Sequence, residues 1–218
     1  MDFSLETIVL WAVPVVFAIT LHEAAHGYVA KLFGDRTAEM LGRITLNPIK
    51  HIDPVGTILV PGLLLLTAKM MGGAPFIFGW AKPVPVNFGN LRDPKRDMLW
   101  VAAAGPAVNF AMALAWALLF RFAMPGGVFD SANIVEMARI GVSVNLVLMA
   151  LNLLPIPPLD GGRIAVSLLP MPAAHVFAKL EPFGLFLIVG LLAFGVLDNV
   201  MEPLLRFGEW ALQALVPL

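Results

Sequence analysis

The sequence predicts an all-α polytopic membrane protein with four to six transmembrane or re-entrant helices and a small interfacial β hairpin or sheet. Three observations carry that expectation. Of 218 residues, 59% are hydrophobic and 13% are charged, against roughly 25% charged in a soluble domain. Apolar stretches of helical length recur from end to end and leave no room for a separate soluble domain of about 100 residues, so residues 1–218 read as one membrane domain. One stretch, FGWAKPVPVNF at 78–88, instead alternates apolar with polar residues, as a strand or hairpin does; its prolines suit a sheet edge.

The first apolar stretch runs from Leu5 to Phe33, and Gly34 marks a helix stop. It has no basic n-region and no small-residue cleavage site, so it reads as a retained span and not a signal peptide. Residues 35–53 are polar and carry Gly42 and Pro48, with Pro54 following; they read as a loop or short strands outside the hydrocarbon. Val55 to Met71 is barely long enough for a core of about 30 Å at about 1.5 Å of rise per residue. Pro61 and Gly62 interrupt it, so it either spans or re-enters. Arg92 to Asp97 is a charged interface, followed by apolar stretches at Met98–Phe122 and Ile134–Leu154. PIPPLDGGR at 155–163 then breaks the helix, because prolines cannot continue it and paired glycines permit close backbone approach. A last span covers Phe183 to Val200.

Short cytoplasmic loops collect Lys and Arg. Lys31, Arg36, Arg43 and Lys50 follow the first span, and Lys82, Arg92, Lys95 and Arg96 precede Met98. If Val55–Met71 re-enters, both clusters lie on the cytoplasmic side with Arg163 and Lys179. Four spans plus a re-entrant element is therefore the preferred topology. The net charge of -1 and the lack of a long basic run argue against nucleic acid as a partner. Cysteine is absent, so disulfides are excluded and a metal must be bound by His, Asp or Glu.

The first span ends in HEAAH, residues 22–26. Residues four apart on a helix stand about 40° apart around the axis, so His22 and His26 project side by side and can grip one metal ion. Glu23 sits about 100° round from His22, where it reaches a water beside the metal, as a general base must. Three ionisable groups in an apolar span each cost a few kcal/mol, which disfavours a chance occurrence. A catalytic zinc takes three protein ligands and leaves one position open. Asp160, in the broken segment and followed by Gly161 and Gly162, is the best candidate for the third. An N-cap for the following helix is its plainer alternative. His51 reads as structural or as support from behind a ligand, and Asn109 as an interhelical hydrogen bond worth about 0.6 kcal/mol. A metal carrier would use Glu23 as a ligand, whereas a hydrolase keeps it off the metal.

HEAAH in a span, then AGPAVN at 104–109, then NLLPIPPLDGG at 152–162 together resemble the site-2 protease family of intramembrane zinc metallopeptidases (peptidase M50 type), in its compact form without a PDZ or CBS domain. The resemblance implies that His22, His26 and Asp160 hold one zinc ion per chain and that Glu23 is the general base. It also implies that Asn152 holds the substrate backbone or the oxyanion, and that Gly105 and Asn109 lie on a core helix beside the site. The expected activity is hydrolysis of peptide bonds within transmembrane helices of membrane-protein substrates. The expected location is a multi-pass place in a prokaryotic cell membrane, with the active site towards the cytoplasmic side.

Overall fold

The computed structural model describes residues 4–71 and 79–216. Its centre is three long helices, α1 (Leu5–Leu32), α4 (Pro94–Ala123) and α5 (Ala132–Leu153), which pack on one another more extensively than any other elements. Between α1 and α4 lie α2 (Thr37–Met40), a 3-10 turn at Pro48–His51, a π-helical turn at Pro54–Leu59 and α3 (Val60–Met71). After α5 come α6 (Asp160–Leu168), α7 (Met171–Ala178), α8 (Glu181–Ala193) and α9 (Val196–Leu215).

Each long helix carries its own start and stop. Ser4 caps α1 by accepting from the Thr7 amide at 3.1 Å, and Gly34 (φ +109°) ends it in a conformation that only glycine adopts cheaply. Asp93 and Pro94 open α4, and Ser131 caps α5. The packing is that of a protein dissolved in lipid. On α1 the buried side is Ala18, Thr20, His22, Ala24, His26, Gly27 and Ala30, while Val9, Trp11, Val16 and Phe17 point outwards. Small residues on α4, among them Ala102, Gly105, Asn109, Ala113 and Ala117, let α1 and α5 approach closely. The helices α1, α4 and α5 are each long and apolar enough to cross a membrane, and the protein is an integral membrane protein.

Three sequence expectations are corrected. Among the described residues there is no β hairpin or sheet: residues 79–87 belong to no strand or helix. Pro83 and Pro85 remove the donors a ladder needs, and the chain is tied to loops instead. The Trp80 amide donates to Gly56 O at 3.0 Å and the Lys82 amide to His51 O at 2.9 Å. Part of the expected hairpin, 72–78, lies outside the described residues. Second, among the described residues three helices qualify as spans, or four if the α7 and α8 pair, bent by 65°, is one broken span, against the four spans expected; α3 is not one of them. Third, the last span does not run from Phe183 to Val200. It stops after Ala193, and Gly195 (φ +65°) turns the chain into α9, whose Asp198, Glu202, Arg206 and Glu209 hide it from a search for apolar runs.

The excursion through α3 is closed at its base. Thr57 Oγ1 donates to Trp80 O at 2.9 Å, beside the bond from the Trp80 amide to Gly56, so the chain that departs at Gly56 is back next to it at Trp80. Asp35, wholly buried, staples the neighbouring loops. It accepts from the Thr37 amide and hydroxyl at 3.0 and 2.5 Å, the Asn87 amide at 2.7 Å and Asn90 Nδ2 at 3.1 Å.

Candidate metal centre

His22 and His26 come out one turn apart on the buried side of α1. Asp160 reaches them because α6 begins against the end of α5. A side chain at Gly161 would strike the carbonyls of Leu153 and Leu154, and one at Gly162 would lie 2.5 Å from Pro157 N. Only glycines allow that turn to close. Asp160 is the first residue of α6 and caps nothing; the cap position is Leu159, without a side-chain bond. The capping alternative is therefore set aside.

Three ligand atoms converge. His22 Nε2 and His26 Nε2 are 3.1 Å apart, and each lies 3.2 and 3.3 Å, respectively, from Asp160 Oδ2. All three residues are buried. The far side of each imidazole fixes its tautomer. His26 Nδ1 lies 2.7 Å from Val101 O, which can only accept, so Nδ1 carries the proton. His22 Nδ1 donates to Asn109 Oδ1 at 2.6 Å. Asn109 is held that way round because its Nδ2 donates to Ala18 O at 3.4 Å and to Asn145 Oδ1 at 3.0 Å. Asn145 Nδ2 donates in turn to Gly141 O at 2.8 Å. This polar chain crosses α1, α4 and α5 and leaves both Nε2 atoms as bare lone pairs.

Two lone pairs and a carboxylate oxygen thus face one another inside the bundle, and Asp160 Oδ2 has no hydrogen-bond donor. Buried acceptors without donors are costly, and a cation removes the conflict. The spacing suits one. With bonds of about 2.0–2.1 Å and tetrahedral angles, ligands stand about 3.3–3.4 Å apart, close to the three edges given above. Two nitrogens and one oxygen form a set that suits zinc, with hydrogen-bonded imidazoles behind it as metal sites require. Gly105 of α4 makes the room: a Cβ there would stand 2.5 Å from His22 Cε1 and 2.6 Å from His26 Nε2.

The other expected residues separate. Glu23 is not among the three converging ligands; its Oε2 accepts from the Val84 amide at 2.7 Å. Asn109 supports His22 from behind. Asn152 is half-buried, and its Nδ2 donates to Leu148 O, one turn back on its own helix, at 3.0 Å. His51 is buried away from the three ligands, with Nε2 donating to Thr45 O at 3.0 Å. Sequence reasoning missed Asn145 and Arg43. Asn145 was detectable as a lone amide in an apolar run. Arg43 sits in a polar loop, where nothing in the sequence sets it apart from the neighbouring basic residues.

The family model described as peptidase family M50 matches residues 123–194, a stretch that holds Asn152 and Asp160. A Bacillus subtilis (strain 168) protein named "Putative zinc metalloprotease YwhC" is 36% identical over 201 residues, covering 90% of this chain and 86% of that one. "Putative zinc metalloprotease Rip2" of Mycolicibacterium smegmatis is 31% identical over 180 residues, covering 81% of this chain and 64% of that one. "Putative zinc metalloprotease MJ0611" of Methanocaldococcus jannaschii is 26% identical over 166 residues, covering 75% and 72%. No solved structure matches the chain.

Proposed function

From the premise that this chain belongs to peptidase family M50, the site-2 protease family, we propose that it is a zinc metalloprotease that hydrolyses peptide bonds within transmembrane helices. The observation that carries this reading is the buried triangle of two bare imidazole nitrogens and an undonated carboxylate oxygen. His22, His26 and Asp160 hold one zinc ion. When bound, zinc supplies a Lewis acid that acidifies water to a pKa of about 7 and polarises the scissile carbonyl.

The chain's own groups do the rest. Glu23 takes the proton of the attacking water and returns it to the leaving amide nitrogen, a role typically worth about 10²- to 10⁴-fold in rate. Asn152 stands on α5 beside the break that leads to Asp160. Its amide serves the substrate backbone or the oxyanion once it turns from Leu148 O. The substrate is a transmembrane helix that must unwind locally, because its carbonyls are otherwise sequestered in internal hydrogen bonds. The reaction takes place in a prokaryotic cell membrane, with the site towards the cytoplasmic side, where the basic loops gather.

The test measures zinc content and cleavage of a membrane-spanning substrate on the same detergent-purified preparations. Wild type is expected to carry one zinc and to cleave. Glu23→Gln should keep the zinc and lose cleavage by about 10² or more. Asp160→Asn should lose zinc while staying folded. Wild type without zinc after reconstitution would refute the site, and full cleavage by Glu23→Gln would refute the base.

A further inference from the structure

Residues 82–86 read Lys-Pro-Val-Pro-Val. Proline has no amide hydrogen, so Val84 supplies the only N–H between Lys82 and Val86, and that N–H goes to Glu23 Oε2. The run is pinned around this one donor. Arg43 Nη2 donates to Lys82 O at 2.9 Å and to Pro83 O at 3.3 Å. His51 O accepts from the Lys82 amide. Arg43 is buried and makes no ion pair among the described residues, so a cation that is costly to bury is spent on two neutral carbonyls.

Packing sets the height of the segment over α1. The Val84 side chain is buried in a notch at Gly27, one turn beyond Glu23, where an added Cβ would come within 3.0 Å of Val84 Cγ1 and of Ile44 Cγ1. A glutamate side chain has three rotatable bonds, and an untethered carboxylate samples many orientations. Tethering one oxygen to a rigid, proline-flanked amide narrows that range.

We propose that Lys82–Val86 is the positioning element of the general base, and that Arg43 is a positioning residue acting through it. The Val84 amide holds one oxygen of Glu23 so that the other keeps a single orientation for proton transfer. This inference rests on Glu23 being the base. It gives the run a task, and it accounts for prolines on both sides of its one donor.

The test compares Arg43→Met, Arg43→Lys, Val84→Ala and Val84→Pro in the full chain. The readouts are kcat and KM on a membrane-spanning substrate, zinc content, and amide exchange at Val84 by NMR of isotope-labelled valine in metal-free protein. A misplacement of about 1 Å in a reacting group costs about 10²-fold. Arg43→Met is therefore expected to lower kcat by about 10- to 100-fold, with KM within about twofold, zinc retained and Val84 exchange accelerated. Arg43→Lys should recover part of the loss, and Val84→Pro should lower kcat at least about tenfold below Val84→Ala. Equal kcat in Val84→Pro and Val84→Ala, or unchanged kcat in Arg43→Met, would overturn the proposal. If Val84→Pro fails to fold, the Arg43 pair decides. Glu23→Ala removes the acceptor of the Val84 amide, so accelerated Val84 exchange in it supports the tether whether or not Glu23 proves to be the base, and unchanged exchange overturns it; the cleavage assay of Glu23→Gln, which keeps an acceptor oxygen, judges the base by itself.

Discussion

Gly105→Ala adds a single methyl group, and the structure says where it goes. The new Cβ would lie 2.5 Å from His22 Cε1, 2.6 Å from His26 Nε2 and 2.7 Å from His22 Nε2, well inside the optimum of about 3.5–4.0 Å for non-bonded carbon. Neither ring can simply swing aside, because His22 is held by Asn109 and His26 by Val101 O. The strain must therefore push α4 off α1 by about 1 Å, or rotate the rings and open a triangle whose edges are 3.1–3.3 Å. Overpacking of this kind costs about 1–3 kcal/mol in stability. Loss of ligand support costs about 10- to 100-fold in metal affinity, and displacing the ligands themselves should reach the upper end, about 10²-fold or 2.7 kcal/mol. Zinc affinity measured by chelator competition in detergent, with thermal unfolding alongside, checks this. Gly190→Ala is the control, since its Cβ meets nothing within 4 Å and the change favours a helix. Zinc affinity within threefold of wild type in Gly105→Ala would refute the argument that Gly105 makes room for the ligands.

Three further outcomes follow from the same geometry. Asn109→Leu removes the acceptor behind His22 and strands Asn145 Oδ1, so zinc affinity should fall by about 10- to 100-fold, read by the same competition. Burial works against ionisation of Asp35, but the hydrogen bonds from Thr37, Asn87 and Asn90 outweigh it and hold its pKa below the ordinary carboxylate value. A depressed folded-state pKa gives stability that is complete above the unfolded value of about 3.9 and is lost as pH falls through the folded one. The unfolding temperature of wild type should thus drop on acidification below about pH 4, with a smaller drop in Asp35→Asn. Single cysteines replacing Lys50 and Lys82 should react with an impermeant reagent from the same side of the membrane, because the Lys82 amide is bonded to His51 O; opposite accessibility would defeat the out-and-back reading of Val55–Met71.

How much of this was legible in the sequence depended on how local the signal was. HEAAH is one turn of one helix, so side-chain periodicity alone brings His22 and His26 together, and the stops at Gly34 and in PIPPLDGGR are equally local. The long helices α1, α4 and α5 were found because a lipid-facing helix is apolar all round. What failed was structure that depends on distant partners. The alternation of FGWAKPVPVNF looked like a strand, yet strand pairing is a property of two segments: Pro83 and Pro85 leave the stretch between Lys82 and Val86 a single donor, which goes to a side chain on α1, and the Trp80, Lys82 and Asn87 amides go to loops. Likewise α9 packs Leu197, Met201 and Leu212 against the bundle and turns its charges away, a pattern that counting apolar residues cannot detect. Asp160 shows the same limit from the other side. Its neighbours favoured a helix cap, and the requirement for a third ligand and the resemblance of NLLPIPPLDGG pointed elsewhere. In the fold, the glycines after it let the turn pack against the end of α5, and this carries the carboxylate to the histidines instead of to its own helix.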